Sequence, residues 1–102
     1  MIIRVKYLPF NLSGICLCKG LIIAHKDASE AQIAHEQVHE SEWSPWWLIK
    51  YLLSPVFRMN AEVRAYRMQA IIEGVSVWGY YDIIRDNYLL NARAKRQLAE
   101  ML

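Results

Sequence analysis

Cysteine is scarce in this chain, with Cys16 and Cys18 the only two in 102 residues. A Cys-x-Cys spacing strains a direct bridge, and no second pair exists to complete a zinc ribbon. A disulfide scaffold and a cysteine-only metal knuckle are both excluded. Free, partly buried thiols are expected, which favours a reducing compartment. Charge of one sign is also in short supply. Twelve Lys and Arg against ten Asp and Glu leave a formal net charge of +2, too little for a surface that tracks phosphates. Arg93, Lys95 and Arg96 form the one notable basic cluster, and it reads as a solvated helix face, so nucleic acid is not an expected partner. Long apolar runs are missing as well. Lys50, Pro45 and Pro55 divide the longest candidate, and nothing approaches the ~20 residues of a membrane span. Near the start, Arg4 and Lys6 interrupt the apolar residues and no small-residue cleavage site follows, so a cytoplasmic chain without a secretory signal is expected.

What is present is core material. Hydrophobic residues make up 55% of the chain and charged residues 22%, a balance that excludes a solvated disordered polymer. The length fits one domain, residues 1–102. Residues 2–8 alternate Ile3, Val5 and Tyr7 with Arg4 and Lys6, the period of a half-buried strand. Asn11, Ser13 and Gly14 supply turn chemistry, and residues 15–17 and 21–24 read as a hairpin hinged at Lys19 and Gly20. Asp27 or Ser29 can each open a capping box for a helix over about residues 29–41. Ser44 before Pro45 opens a short apolar helix that stops before Pro55. A helix over about residues 57–73 carries Ala61, Ala65, Met68 and Ile72 on one stripe and ends at Gly74. Asn91 caps a last helix. The expected fold class is α+β, a short N-terminal antiparallel sheet followed by four or five helices.

The stretch with chemical content is His35-Glu36-Gln37-Val38-His39, inside the best-capped helix. Residues four apart on a helix share a face with Cβ atoms roughly 5–6 Å apart, so both imidazoles can reach one metal ion. Zn²⁺ suits that reach, with Zn–N bonds of about 2.0–2.1 Å. Glu36, beside the first histidine, can lean over the open coordination position and take the proton of the attacking water. A catalytic zinc needs a third protein ligand. His25, Glu40 with Glu42, and Glu62 are the candidates. Glu40 and Glu42 leave the His35/His39 face, and a separate helix reaching across a cleft is geometrically better. Taken alone, Glu62 reads as a solvated helix residue paired with Arg58 or Tyr66.

The order of a strand over residues 20–26, then His35-Glu36-x-x-His39, an apolar aromatic connection, and Glu62 in an Ala-Glu-Val-x-Ala-Tyr setting resembles the gluzincin metallopeptidases. It is closest to the minigluzincins and to short phage or bacterial zinc-peptidase-like chains. The resemblance covers about residues 20–75. It implies a zincin-like fold with an active-site helix and a glutamate helix, zinc held by His35, His39 and Glu62, and Glu36 as general base. It also implies a peptide or protein substrate lying along the strand before the active-site helix, as on an edge strand. Larger gluzincins stabilise the oxyanion with a downstream His or Tyr. No histidine follows His39 here, so Tyr66 is the first candidate, with Tyr80, Tyr81, Tyr88 and Arg67 behind it.

Minigluzincins also resemble zymogens with a covered cleft, but residues 75–102 are expected to complete the core of so small a chain rather than to form a lid. Trp43, Trp46 and Trp47 invite a membrane-interface reading, yet no dense Lys/Arg stripe accompanies them, and packing around the histidine helix is expected instead. The expected function is a zinc-dependent endopeptidase, cytoplasmic or phage-associated. The alternative is a catalytically silent zinc-binding scaffold or interaction protein with a peptidase-like fold.

Overall fold

The structure, a computed structural model, describes residues 1–8 and 14–102. The expected turn residues Asn11 and Ser13 lie outside the described residues. Strands β1 (Ile2–Val5), β2 (Gly14–Cys18) and β3 (Leu21–His25) form one sheet in the order β1-β3-β2. β2 and β3 make the expected antiparallel hairpin, and Gly20 takes φ +88° at its turn, a conformation that favours glycine. β1 pairs parallel with β3, with Ile2 opposite Ile22 and Val5 opposite His25. The sheet is therefore mixed rather than antiparallel. The hairpin partner already occupies one side of β3, so the first strand adds to the other side, in the same direction as β3.

This order also moves the edge. β3, the strand before the histidine helix, is the centre of the sheet and not an edge strand; its Ile22 and Ala24 are buried. β1 does not behave as a half-buried strand either, because it ends at Val5 and leaves Ile2, Ile3 and Tyr7 exposed. Arg4 ties it to the turn after β3, donating to the carbonyls of Lys26 and Ala28 at 3.2 Å each.

Helix α1 (Glu30–Glu42) starts at Ser29, not Asp27: the Ser29 hydroxyl accepts from the Gln32 amide while the Gln32 side chain accepts from the Ser29 amide. Its buried residues Ala31, His35 and His39 recur every fourth position and so lie on one stripe. Helix α2 (Pro45–Leu53) is capped by Ser44, and Ser54 both ends α2 and caps α3 (Pro55–Glu73). α3 thus starts two residues before Phe57, because Ser54-Pro55 repeats the Ser44-Pro45 start signal. Gly74 ends α3 at φ +71°, as expected of a left-handed cap. α3 is sandwiched, so a single apolar stripe does not describe it. Ala61 and Ala65 are buried as expected, but Met68 and Ile72 are exposed, and Glu62 and Gln69 are buried.

A 3₁₀ turn (Val77–Tyr80), α4 (Tyr81–Asn87) and α5 (Ala92–Met101) complete the chain. Met59, Val63 and Tyr66 of α3 pack with Ile84, Leu90, Ala94 and Leu98 in one buried cluster, so residues 75–102 supply core, as expected. Leu98 and Ile84 are each 0% exposed. Leu98→Ala and Ile84→Ala should each cost about 2–5 kcal/mol, read as a lower urea midpoint at unchanged slope. No helix among the described residues is long and apolar enough to cross a membrane. The expected packing of the tryptophans holds for Trp43 and Trp47, which are half-buried, while Trp46, Leu52 and Leu53 face solvent.

Candidate metal centre

α1 and α3 face each other across the middle of the molecule, and their facing polar residues converge. One ligand atom each from His35, His39 and Glu62 lies within 4.8 Å of the others, and all three residues are buried. His35 Nε2 is 3.1 Å from Glu62 Oε1, and His39 Nε2 is 3.0 Å from Glu62 Oε2. Two ligands of a tetrahedral ion with bonds of about 2.0–2.1 Å stand about 3.4 Å apart, so small adjustments would admit a metal. The donor chemistry agrees. His35 Nδ1 faces the Gln69 carbonyl oxygen at 3.0 Å while Nε2 faces a carboxylate. A ring with acceptors at both nitrogens is satisfied only as an imidazolium or with a cation beyond Nε2. A His/His/Glu group of this form could hold a metal ion.

The other expected ligands are engaged elsewhere. His25 Nδ1, on β3, accepts from the Asp27 amide at 3.1 Å. Glu40 accepts from the Gly20 amide at 3.1 Å, and Glu42 pairs with Arg64 at 2.5 Å. Nor is Glu62 a solvated residue paired with Arg58 or Tyr66. It is 2% exposed, and its third partner is Tyr51 of α2, whose hydroxyl donates to Oε2 at 2.5 Å. Arg58 instead donates to the carbonyls of Tyr51 and Tyr88 and so ties α2 to the loop after α4.

Glu36 comes within 3.9 Å of His35 Nε2. Strand β2 runs beside it, and a Cβ on Gly14 would stand only 3.1 Å from Glu36 Cγ, so the glycine lets strand and carboxylate approach closely. The cluster opens into a cavity of about 1160 Å³ lined by β2, α1, α2, α3 and the segment after α3. The strand along it is β2, through Gly14, Ile15 and Cys16, not the central β3. Tyr66, Tyr80 and Tyr88 line the cavity, whereas Tyr81 and Arg67 are not among its lining residues. The Tyr66 ring stands edge-on to His35 at 4.2 Å, and its hydroxyl is 2.8 Å from that of Tyr88. Burial pushes the Tyr66 hydroxyl up to about 12, so it keeps its proton at neutral pH.

Tyr51 and Gln69 are the residues that the sequence reading passed over. Gln69 lies seven positions after Glu62, two helical turns along the same face, which is a usable signal. Tyr51 sits among apolar neighbours and carries none.

Burial opposes ionisation of Glu62, but its hydrogen bonds to both histidines outweigh this and bring it down to about 2. For His39, burial is likewise outweighed by the Glu62 hydrogen bond, and the imidazole is raised. Burial also raises Glu36, with His35 and His39 acting against it. In metal-stripped protein the Glu62 contribution is present above the ordinary carboxylate range and lost toward low pH. The His39 contribution is present below about 6.5 and lost as pH rises through its raised value, and Glu36 loses stability in the same alkaline direction. The thermal midpoint of metal-stripped protein should therefore be highest near about pH 5 and lower at about pH 3 and pH 8. A midpoint unchanged across that range would show that the cluster does not contribute to folding.

No family model, curated protein or solved structure matches the chain. The functional reading therefore rests on the geometry of this centre and on the sequence pattern that builds it.

Proposed function

We propose that the chain is a zinc-dependent endopeptidase of gluzincin type, acting on peptide or protein substrates. The observation that carries this reading is the buried convergence of His35, His39 and Glu62 from two helices, with Glu36 beside them facing one large cavity. His35, His39 and Glu62 would hold Zn²⁺, which would supply Lewis acidity to the scissile carbonyl and acidity to the attacking water.

The rest belongs to the chain's own residues. Glu36 takes the proton of the attacking water and passes it to the leaving amine. Tyr66, one turn after Glu62 and held by Tyr88, donates to the oxygen that becomes negative in the transition state. Tyr51 holds Glu62 in its orientation. The free thiols of Cys16 and Cys18 support a reducing compartment, and a cytoplasmic location is part of the same proposal.

The test is cleavage of an unstructured polypeptide and a broad peptide library by the zinc-loaded full-length chain, abolished by a chelator and restored by zinc. Shortening the chain after Gly74 is unsuitable, because it deletes Ile84, Leu90, Ala94 and Leu98 from the core. A folded, zinc-loaded chain that cleaves nothing would favour a metal-bearing scaffold instead.

A further inference from the structure

Beyond the ligands runs a hydrogen-bond chain with one permitted direction. Tyr80, the last residue of the 3₁₀ turn, donates its hydroxyl to Glu73 at the end of α3. The Gln69 amide nitrogen donates to the Tyr80 oxygen at 3.3 Å, and the Gln69 carbonyl oxygen faces His35 Nδ1 at 3.0 Å. An ionised carboxylate only accepts, and a phenol has one hydrogen to give. With that hydrogen committed to Glu73, the Tyr80 oxygen can only accept, so Gln69 must turn its NH₂ group to Tyr80 and its carbonyl to His35. Nδ1 of His35 then carries the hydrogen, and Nε2, on the side of Glu62 and His39, is left as the nitrogen that can ligate.

We propose that Glu73, Tyr80 and Gln69 are positioning residues that fix the orientation and tautomer of His35, so that the segment after α3 helps to set metal affinity. This rests on the metal centre under Proposed function and adds three residues that are not among its three converging ligand candidates. Reversing the Gln69 amide would point N–H at Nδ1 and move the ring hydrogen to Nε2, where it must be lost before a metal binds. Glu73 is exposed, and although Tyr80 packs against the core, Tyr80→Phe keeps its ring and removes only the hydroxyl. Partners of this kind are typically worth 10–100-fold in metal affinity.

The experiment is a zinc titration of the full-length chain against a competing chelator at neutral pH, with the thermal midpoint of each metal-free variant measured alongside. Gln69→Leu keeps the bulk but removes the acceptor, and should weaken zinc binding by about 10–100-fold. Gln69→Glu keeps an acceptor toward Nδ1 and should bind zinc at least as tightly as the parent chain. A mere packing role predicts the reverse order, because Leu is the easier residue to bury. Tyr80→Phe and Glu73→Gln free the amide to turn and should each weaken zinc by about 10-fold with the midpoint unchanged. These two variants keep the test decisive if Gln69→Leu does not fold.

Parent-level zinc affinity in Tyr80→Phe and Glu73→Gln overturns the relay, as does a Gln69→Glu variant weaker than Gln69→Leu. In those cases the parent chain still binds zinc and the metal centre stands. A folded parent chain that takes up no zinc overturns the metal centre and the relay together.

Discussion

Full-length chain purified without a metal-affinity tag should carry about one zinc ion per molecule, and Glu62→Ala should carry none. The expectation follows from where the carboxylate sits. Glu62 is enclosed between two imidazoles and Tyr51, and removing it takes away one ligand and the negative charge that draws a dication into a buried site. His35→Ala and His39→Ala should lose the metal for the same reason. His25→Ala should retain it, since His25 belongs to the sheet and already accepts from the Asp27 amide. Glu62→Gln guards against misreading an unfolded variant: it preserves the shape, can still accept from Tyr51, and should bind zinc far more weakly than the parent. Elemental analysis of each folded variant decides the matter. Metal lost with His25 and kept without Glu62 would dismantle the ligand set, whatever the His35-Glu36-x-x-His39 spacing suggests. Chelation should also lower the thermal midpoint of the parent chain, because a ligand that binds only the folded state stabilises it by mass action.

Local signals carried most of the architecture. The capping serines, the Ser-Pro helix starts and Gly74 are decided within a few residues by backbone geometry, and they mark the real helix boundaries closely. The four-residue spacing of His35 and His39 fixes their shared face in the same way. What lay beyond reach depends on contacts distant in sequence. Whether β1 runs parallel or antiparallel to its neighbour depends on its pairing with residues 22–25, distant in sequence, and alternation within residues 2–8 carries no record of that. Burial on α3 followed the same rule. A helix packed on two sides hides polar residues on one of them, so Glu62 taken alone reads as a solvated residue, and its burial together with Gln69 depends on α1 lying opposite. Tyr51 carries no sequence signal, because its role depends on one hydroxyl meeting one carboxylate across two helices.

Glu36→Gln is the substitution that separates an enzyme from a metal-bearing scaffold. Glu36 stands near the ligand cluster, 3.9 Å from His35 Nε2, yet it is not one of the three converging residues. The amide has almost the same volume and still fits beside Gly14, but it cannot accept a proton at neutral pH. Zinc content and the thermal midpoint should therefore match those of the parent chain. Removing a buried carboxylate that burial has already pushed toward its neutral form should not destabilise the fold. Hydrolysis should fall by at least about 100-fold, the lower end of what general-base catalysis contributes. Full-length Glu36→Gln, loaded with one zinc and assayed on the peptides that the parent chain cleaves, provides the measurement. Undiminished cleavage would assign the activity to a contaminant or to another base, and Tyr66 offers no substitute, since its hydroxyl stays protonated at neutral pH. Loss of cleavage together with loss of zinc would place Glu36 among the ligands and remove the base from the proposed reaction.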